Sequence, residues 1–579
     1  MMDDSGHRER EHFFGSAKVI AGMTVLSRIA GLVRAMAIAG FGANKFTDAF
    51  ALAWQIPNLL RRLFAEGALT AAFVPTFTEL LEDRHNGQAR ASALLANATG
   101  LLALLMAGIY ALTQAGLVVW AIGWPGAPDR QLMVLLTSLM LPFMVTICLL
   151  ALASAALNCR GHFLYPAATP IILNVIIIAV AYAVRHAMRD LTGQLEAVAV
   201  SVSIAGMVQL AGVFWLLRRS GFGLRWKLRP IEPGIRSIAR LMAPVLMGLG
   251  FLQLSELFQS GMAWVLRYSP QDPTLNILGW KMTKPLEYGV LAQIGNARYL
   301  YQFPMGVLAI SLGVAVFPLL SRYAARGDMP NFRASINRAL RLSFMEGMAT
   351  GVGLLILAGP ITTLLFLTGE YTAQDVAVTK FVTQTYVLGM WAYCTYQIIV
   401  RAFYALKDTT TPLKVSCILA VVNLVTIGLL IWAAPQFGPG AFGASTALTF
   451  GINAVVLILL LRKRVGLLGG RKLLKSFART LAACAVMAVV LVWLLMELQQ
   501  QPLTLWPGMS IQPMLGYSPP HWGPRWTSLV VVAVTVPVGA IVFIAAAWLM
   551  RAPELGELFG AVRQKIARNV QEEGPGNRD

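Results

Sequence analysis

The sequence predicts an all-α polytopic membrane protein of about 14 transmembrane helices, built as two pseudo-repeated six-helix halves plus two C-terminal helices. Three observations carry that prediction. Of 579 residues, 57% are hydrophobic and 13% charged, at a mean hydropathy of +0.65, a balance typical of a lipid-embedded chain. Apolar stretches of spanning length recur from end to end, separated by short basic segments. Two segments, around Ala156 and Ala402, resemble one another at an offset of roughly 245 residues, or about six helices, as two similar halves would.

In order, the spanning windows are 19–41, 46–73, 91–120, 132–157, 167–184, 197–217, 238–266, 300–320, 342–367, 376–404, 413–432, 442–461, 481–496 and 529–550. Several exceed the roughly 20 residues a span needs, which predicts tilt or extension beyond the bilayer. The first is read as a retained helix, because Arg28 and Arg34 interrupt it, whereas the apolar core of a cleaved signal is short and uncharged. The chain thus divides into a cytoplasmic tail (1–18), an N-terminal six-helix half (19–220), a basic linker (221–236), a C-terminal six-helix half (237–464), two additional helices (465–550) and a cytoplasmic tail (551–579).

The repeat sets Ala156–Pro166, with Asn174 in the next helix, against Ala402–Pro412, with Asn423 in the next. Gly206 and Gly451 then fall in matching small-residue helices that end in basic doublets, Arg218-Arg219 and Arg462-Lys463. An offset of an even number of helices makes the repeat parallel. In the last tail, Leu555, Leu558, Phe559, Val562, Ile566 and Val570 share one face, with Arg563, Lys565 and Arg568 on or near the other, the pattern of an amphipathic helix on a membrane surface. The connection 268–296 is long for a helix–helix loop, which fits either function or disorder.

The formal charge of +20 lies mostly in short loops, so it is read as a topology determinant and a contact for anionic membrane lipids rather than for nucleic acid. Cys148, Cys159, Cys394, Cys417 and Cys484 are scattered singly, and the histidines show no metal-ligand spacing; no disulfide framework, metal site or cofactor is expected.

Arg28 and Arg34 lie inside the first span, and Arg61 and Arg62 inside the second. A mid-membrane arginine costs about 2.5–3.5 kcal/mol, so the first pair costs roughly 6, which such a helix recovers only if neighbours cover it and the guanidiniums face a polar cavity. A cationic cavity suits an anion, and the planar fork of arginine suits phosphate. On a regular helix Arg28 and Arg34 point about 120° apart, and Gly31 between them permits a bend. Pro57 frees a backbone carbonyl near Arg61. Arg62 has Glu66 one turn on, the spacing of a structural ion pair.

The stretch Ser27–Arg34, followed by Thr47–Phe50, Ile56–Ala68 and Ala72–Pro75, resembles the first two helices of the MurJ/MviN-type lipid II flippases of the multidrug/oligosaccharidyl-lipid/polysaccharide transporter superfamily. The resemblance continues through Pro170–Asn174, Pro244 with Gln253, Phe303–Leu308 and Phe317–Ser321. It implies alternating-access transport of an undecaprenyl-pyrophosphate-linked peptidoglycan precursor (lipid II) across the inner membrane, with the cell-wall synthesis machinery as a partner. It carries over Arg28, Arg34 and Arg61 as cavity arginines, with Asp48, Asn58 and Glu66 as supporting polar residues; Arg298 is added as a candidate substrate-binding residue, and Ser27, Asn174 and Gln253 as supporting ones. Two positions depart from the family pattern: Ala35 stands where an acidic residue is common, and Arg298 stands one residue before the place of the family's arginine, which Tyr299 takes here.

Other classes compete less well. A cation-coupled exporter of the same fold needs intramembrane carboxylates, and Asp48, Glu66, Glu256 and Glu346 are few. An enzyme acting on the same lipid needs an acidic cluster in an outer loop, and 268–296 holds only Asp272 and Glu287. A non-transporting lipid-binding or scaffold member is the remaining alternative. With both termini on one side, basic residues favour that side by about four to one, which orients both termini to the cytoplasm. In a cysteine-free background, Ser518→Cys is therefore expected to label with an impermeant thiol reagent added to intact cells, and Lys472→Cys to stay unlabelled; the opposite pattern would invert the topology.

Overall fold

Hydropathy sets where the helices lie, while charge, proline and close backbone approach set where they break. The computed structural model describes residues 22–63, 69–83, 86–123, 128–223, 226–270, 273–277, 280–307, 309–499, 503–506, 509–511 and 523–556. Within these, α1 (Gly22–Ala39), α2 (Lys45–Leu63), α3 (Leu69–Leu81), α4 (Gly87–Gly123), α5 (Pro128–Cys159), α6 (Leu164–Ala187), α7 (Leu191–Arg219) and α8 (Gly234–Val265) precede a hairpin, β1 (Thr274–Ile277) and β2 (Trp280–Thr283). Then come α9 (Val290–Val307), α10 (Ala309–Ala325), α11 (Met329–Phe366), α12 (Ala373–Val387), α13 (Met390–Ala405), α14 (Thr410–Ala433), α15 (Gly440–Val465), α16 (Gly470–Gln499), a second hairpin of β3 (Leu503–Trp506) and β4 (Met509–Ile511), and α17 (Pro524–Leu549).

Every predicted window is carried by helix where described, apart from a few end residues and one internal break. Ten of the described helices are long and apolar enough to cross a membrane, eleven when α9 and α10, bent by 42° at their junction, count as one span. The second window is carried by α2 and α3, and α2 holds Asp48, Pro57, Arg61 and Arg62. The tenth breaks between α12 and α13 at Gly389, where a Cβ would lie 2.7 Å from the Ala447 backbone. The long connection 268–296 is ordered by an antiparallel hairpin pairing Thr274 with Thr283 and Ile277 with Trp280. The N-terminal tail and the amphipathic pattern after Gly556 lie outside the described residues.

The chain forms two compact units. Unit 1 runs to Asn296 and includes Thr368–Asp375; unit 2 comprises Ala297–Leu367 and the chain from Val376 onward. In unit 1, α5 packs against α2, α4 and α7, and Phe73, Phe77, Leu136, Phe143 and Val198 lie in one buried core. In unit 2, α11 packs against α13, α16 and α17, with Phe332, Ile336, Phe403 and Leu457 buried between α11, α13 and α15.

The repeat is visible in contacts as well as in order. α2 begins at Lys45 and α9 at Val290, the predicted offset apart. A Cβ on Gly206 of α7 would lie 2.3 Å from Thr146 Oγ1 of α5, and one on Gly451 of α15 would lie 3.6 Å from Trp391 Cζ2 of α13. Gln209 donates to the Thr169 carbonyl between α7 and α6, and Asn453 donates to Ser416 Oγ at 3.2 Å between α15 and α14. In unit 2 that seam continues through Asn423, which donates to Ser445 Oγ at 3.0 Å and Thr449 Oγ1 at 3.1 Å. Buried side-chain bonds of this kind join helices where lipid offers no hydrophobic drive between them.

Helix ends at the surface are capped locally. Asp190 accepts from Gly193 N at 2.8 Å before α7, and Asp328 accepts from Asn331 N at 3.1 Å before α11. The Thr192 hydroxyl and the Gly193 N–H hold the Asp190 carboxyl below its ordinary range.

One backbone approach within unit 2 is unforgiving. A Cβ on Gly347 of α11 would lie 2.7 Å from the Trp391 Cα and 2.9 Å from the Met390 carbonyl. Gly347→Ala is expected to destabilise the protein by about 1–3 kcal/mol through overpacking, seen as a lowered melting temperature in detergent, whereas Gly108→Ala, which faces open space, leaves it unchanged.

Candidate functional site

The arginines of α1 and α2 in unit 1 were the sequence's main pointers, and the structure gives three of them defined partners. α1 is continuous past Gly31, and Arg28 and Arg34 are both half-buried on it. Arg34 lies over the Trp54 ring of α2, 5.0 Å from its centroid, and Trp54 in turn stacks near Phe143 of α5 at 6.2 Å. A cation held on an indole face is stabilised by about 0.5–2 kcal/mol, depending on how far water is excluded. Seven residues beyond Trp54, and so about 20° off the same stripe of α2, Arg61 donates from Nε to Asn58 Oδ1 at 2.8 Å. Asn174 of α6 donates to the Ser27 carbonyl of α1 at 3.4 Å, bringing two of the supporting residues together.

Arg62 forms an ion pair whose described partner lies on another helix. It binds Glu256 of α8 and donates to Gln253 Oε1 at 3.3 Å. Gln55, Asn58, Arg62, Gln253 and Glu256 line one polar cleft between α2 and α8, so Gln253 and Asn58 meet there. Glu66 lies outside the described residues.

Asp48 is fully buried and directed at structure. Its carboxylate accepts from the backbone N–H groups of Gly289 at 2.8 Å, Leu291 at 2.8 Å and Ala292 at 3.3 Å, so it caps the start of α9 from another helix. Gly289 has φ +90, and a Cβ there would lie 2.5 Å from the Ala43 backbone, so both conformation and space require glycine. Arg267 donates to Asp48 Oδ2 at 3.2 Å and pairs with Asp129 at the start of α5. Its guanidinium sits 3.8 Å from the Trp264 ring centroid and 4.9 Å from that of Tyr288. Sequence reasoning missed this triad; the available signal was an arginine flanked by aromatic residues on the charge-poor side of the topology.

In unit 2, Arg298 is half-buried on α9 and donates from Nε to the Tyr386 hydroxyl of α12 at 3.2 Å. The same unit carries an apolar groove of about 520 Å³ lined by Phe344, Met348, Leu355, Leu388, Trp391 and Phe477.

Arg267→Ala would strand two buried carboxylates. A loss of about 3–5 kcal/mol is expected, read as a large drop in thermal stability, with Arg267→Ala/Asp129→Asn recovering part of it.

The lipid II flippase MurJ family profile matches residues 38–506. The chain is 29% identical over 509 residues to the lipid II flippase MurJ of Burkholderia cenocepacia, covering 87% of this chain and 93% of that one. It is also 29% identical over 491 residues to the probable lipid II flippase MurJ of Vibrio cholerae, covering 83% and 88%. Among solved structures, a lipid II flippase MurJ in an inward closed conformation superposes with a TM-score of 0.69 at 20% identity, covering 92% of this chain and 98% of that one. An inward-facing multidrug resistance MATE family transporter superposes with a TM-score of 0.61 at 12% identity, covering 78% and 98%. At these identities the structural likenesses speak to the fold.

Proposed function

We propose that this chain, which belongs to the lipid II flippase MurJ family, carries a polyprenyl-pyrophosphate-linked peptidoglycan precursor, lipid II, across the cytoplasmic membrane by alternating access. In this reading the membrane is the cell's inner membrane, both termini face the cytoplasm, and the cell-wall synthesis machinery consumes the cargo on the far side. Arg28, Arg34, Arg61 and Arg298 bind the pyrophosphate.

The observation that carries the reading is the arrangement on α2: Arg34 rests on Trp54, and Arg61, held by Asn58, follows two turns along the same stripe. Two guanidiniums along one edge of α2, one its own and one brought to it by α1, suit linked phosphates. The apolar groove of unit 2 supports the same reading, because it matches the chemistry of a polyprenyl chain. Arg62 has its charge answered by Glu256 and is assigned a structural part.

One observation favours cation-coupled export as a second reading. Glu346 of α11 has a buried carboxylate oxygen, Oε2, with no hydrogen-bond partner among the described residues, and an intramembrane carboxylate is a natural carrier of a coupling cation. Loss of ion dependence in Glu346→Gln with retained lipid binding would join the two readings; unchanged ion dependence removes the second.

Replacing Arg28, Arg34 or Arg61 by Ala removes charge-assisted hydrogen bonds worth about 1.5–3 kcal/mol, or roughly ten- to hundredfold in affinity, and Arg62→Ala is expected to do less. Native mass spectrometry of lipid II binding measures this, and full binding by the triple variant would remove the cationic-site argument. Complementation of a bacterium depleted of its own flippase tests transport, with growth expected from this chain and lost in the triple variant.

A further inference from the structure

Arg298 is seated on a layer of tyrosines that the reading above does not use. Tyr301, one turn further along α9, stacks on Tyr386 with ring centroids 4.9 Å apart and planes at 19°. Tyr301 also lies 5.2 Å from Tyr393 of α13, which meets Phe450 of α15 edge-on at 4.8 Å. Tyr386, Tyr393 and Tyr301 are 1%, 2% and 8% exposed, while Arg298 is only half-buried. The Tyr386 ring is thus immobilised by stacking, and its hydroxyl accepts from Arg298 Nε at 3.2 Å.

A guanidinium bound through Nε has its plane and its last torsions fixed, and its two terminal nitrogens form the edge that engages an oxyanion bidentately. Fixing a long side chain beforehand removes rotamer entropy that would otherwise be lost on binding. We propose that Tyr386 is a positioning residue for anion recognition: it holds the Arg298 fork in the orientation that meets the pyrophosphate, and Tyr301 holds Tyr386. This inference rests on the lipid-pyrophosphate reading. It also accounts for the arginine at 298: a one-residue step along α9 turns a side chain by about 100°, and at 298 the turn ends on the Tyr386 hydroxyl.

The test measures the affinity of the full-length protein in detergent for two probes, undecaprenyl pyrophosphate and the uncharged undecaprenol, by native mass spectrometry. Tyr386→Phe keeps the stacked ring and removes only the hydroxyl, so folding is preserved and checked by an unchanged melting temperature. It is expected to weaken pyrophosphate binding about three- to tenfold, to leave undecaprenol binding unchanged, and to have no further effect in an Arg298→Ala background. Equal losses for both probes, or equal losses with and without Arg298, would mean that Tyr386 only supports packing, and the proposal fails. If Arg298→Ala binds pyrophosphate normally while the Arg28/Arg34/Arg61 triple variant does not, the lipid reading stands and the positioning role falls. Normal binding by the triple variant overturns both.

Discussion

The buried carboxylate of Asp48 is the constraint on which unit 1 depends. It accepts three backbone N–H groups at the start of α9 and the Arg267 guanidinium. Arg267 in turn reaches Asp129 at the start of α5. Three helix ends and the segment after the first hairpin are tied by one charge system from which water is excluded. Such a network is stable only when complete, since any member left alone is an uncompensated buried charge. The structure meets that condition by giving Asp48 and Arg267 several partners each and by flanking the guanidinium with two aromatic faces.

Polar groups elsewhere in the protein are also met by specific partners. Arg34 is answered by an indole, Arg62 by a carboxylate, and Arg341 by Glu554, a fully buried residue just past α17 that also accepts from Ser476 at 2.6 Å. Neutral polar side chains are handled in pairs along the α14–α15 seam. Membrane-depth polarity here is arranged as local partnerships, which fix helix faces more selectively than apolar contact with lipid can.

The fold was legible because its determinants are local. Spanning length, apolar composition and the spacing between Ala156 and Ala402 are properties of contiguous stretches, and they suffice for fourteen windows and a parallel repeat. The arginines on α1 and α2 were legible as a site for the same reason: their cost is incurred wherever the helix goes. Partnerships were not legible. Arg62 found Glu256 on α8, Asp48 found the amides of a helix about 240 residues later, and Arg298 found a phenol on α12. Each depends on which helix faces approach, and a hydropathy pattern carries no record of that. The hairpins escaped because a short strand pair in a polar, proline-containing stretch has too few apolar residues to register as alternation.

The repeat holds one contact in common while changing what fills it. In each half a glycine on one helix meets a residue on a neighbour sixty positions earlier in the chain, Thr146 for Gly206 and Trp391 for Gly451. If the halves descend from a single ancestral unit, this pair is a duplicated joint whose helix crossing has been kept and whose side chain has been free to diverge. The threonine closes the joint in unit 1. The indole in unit 2 leaves a looser approach at Gly451 and turns part of its ring toward the apolar groove. One substitution at a duplicated position thus gives the copies different surfaces, a closed seam in one half and an apolar furrow beside the seam in the other.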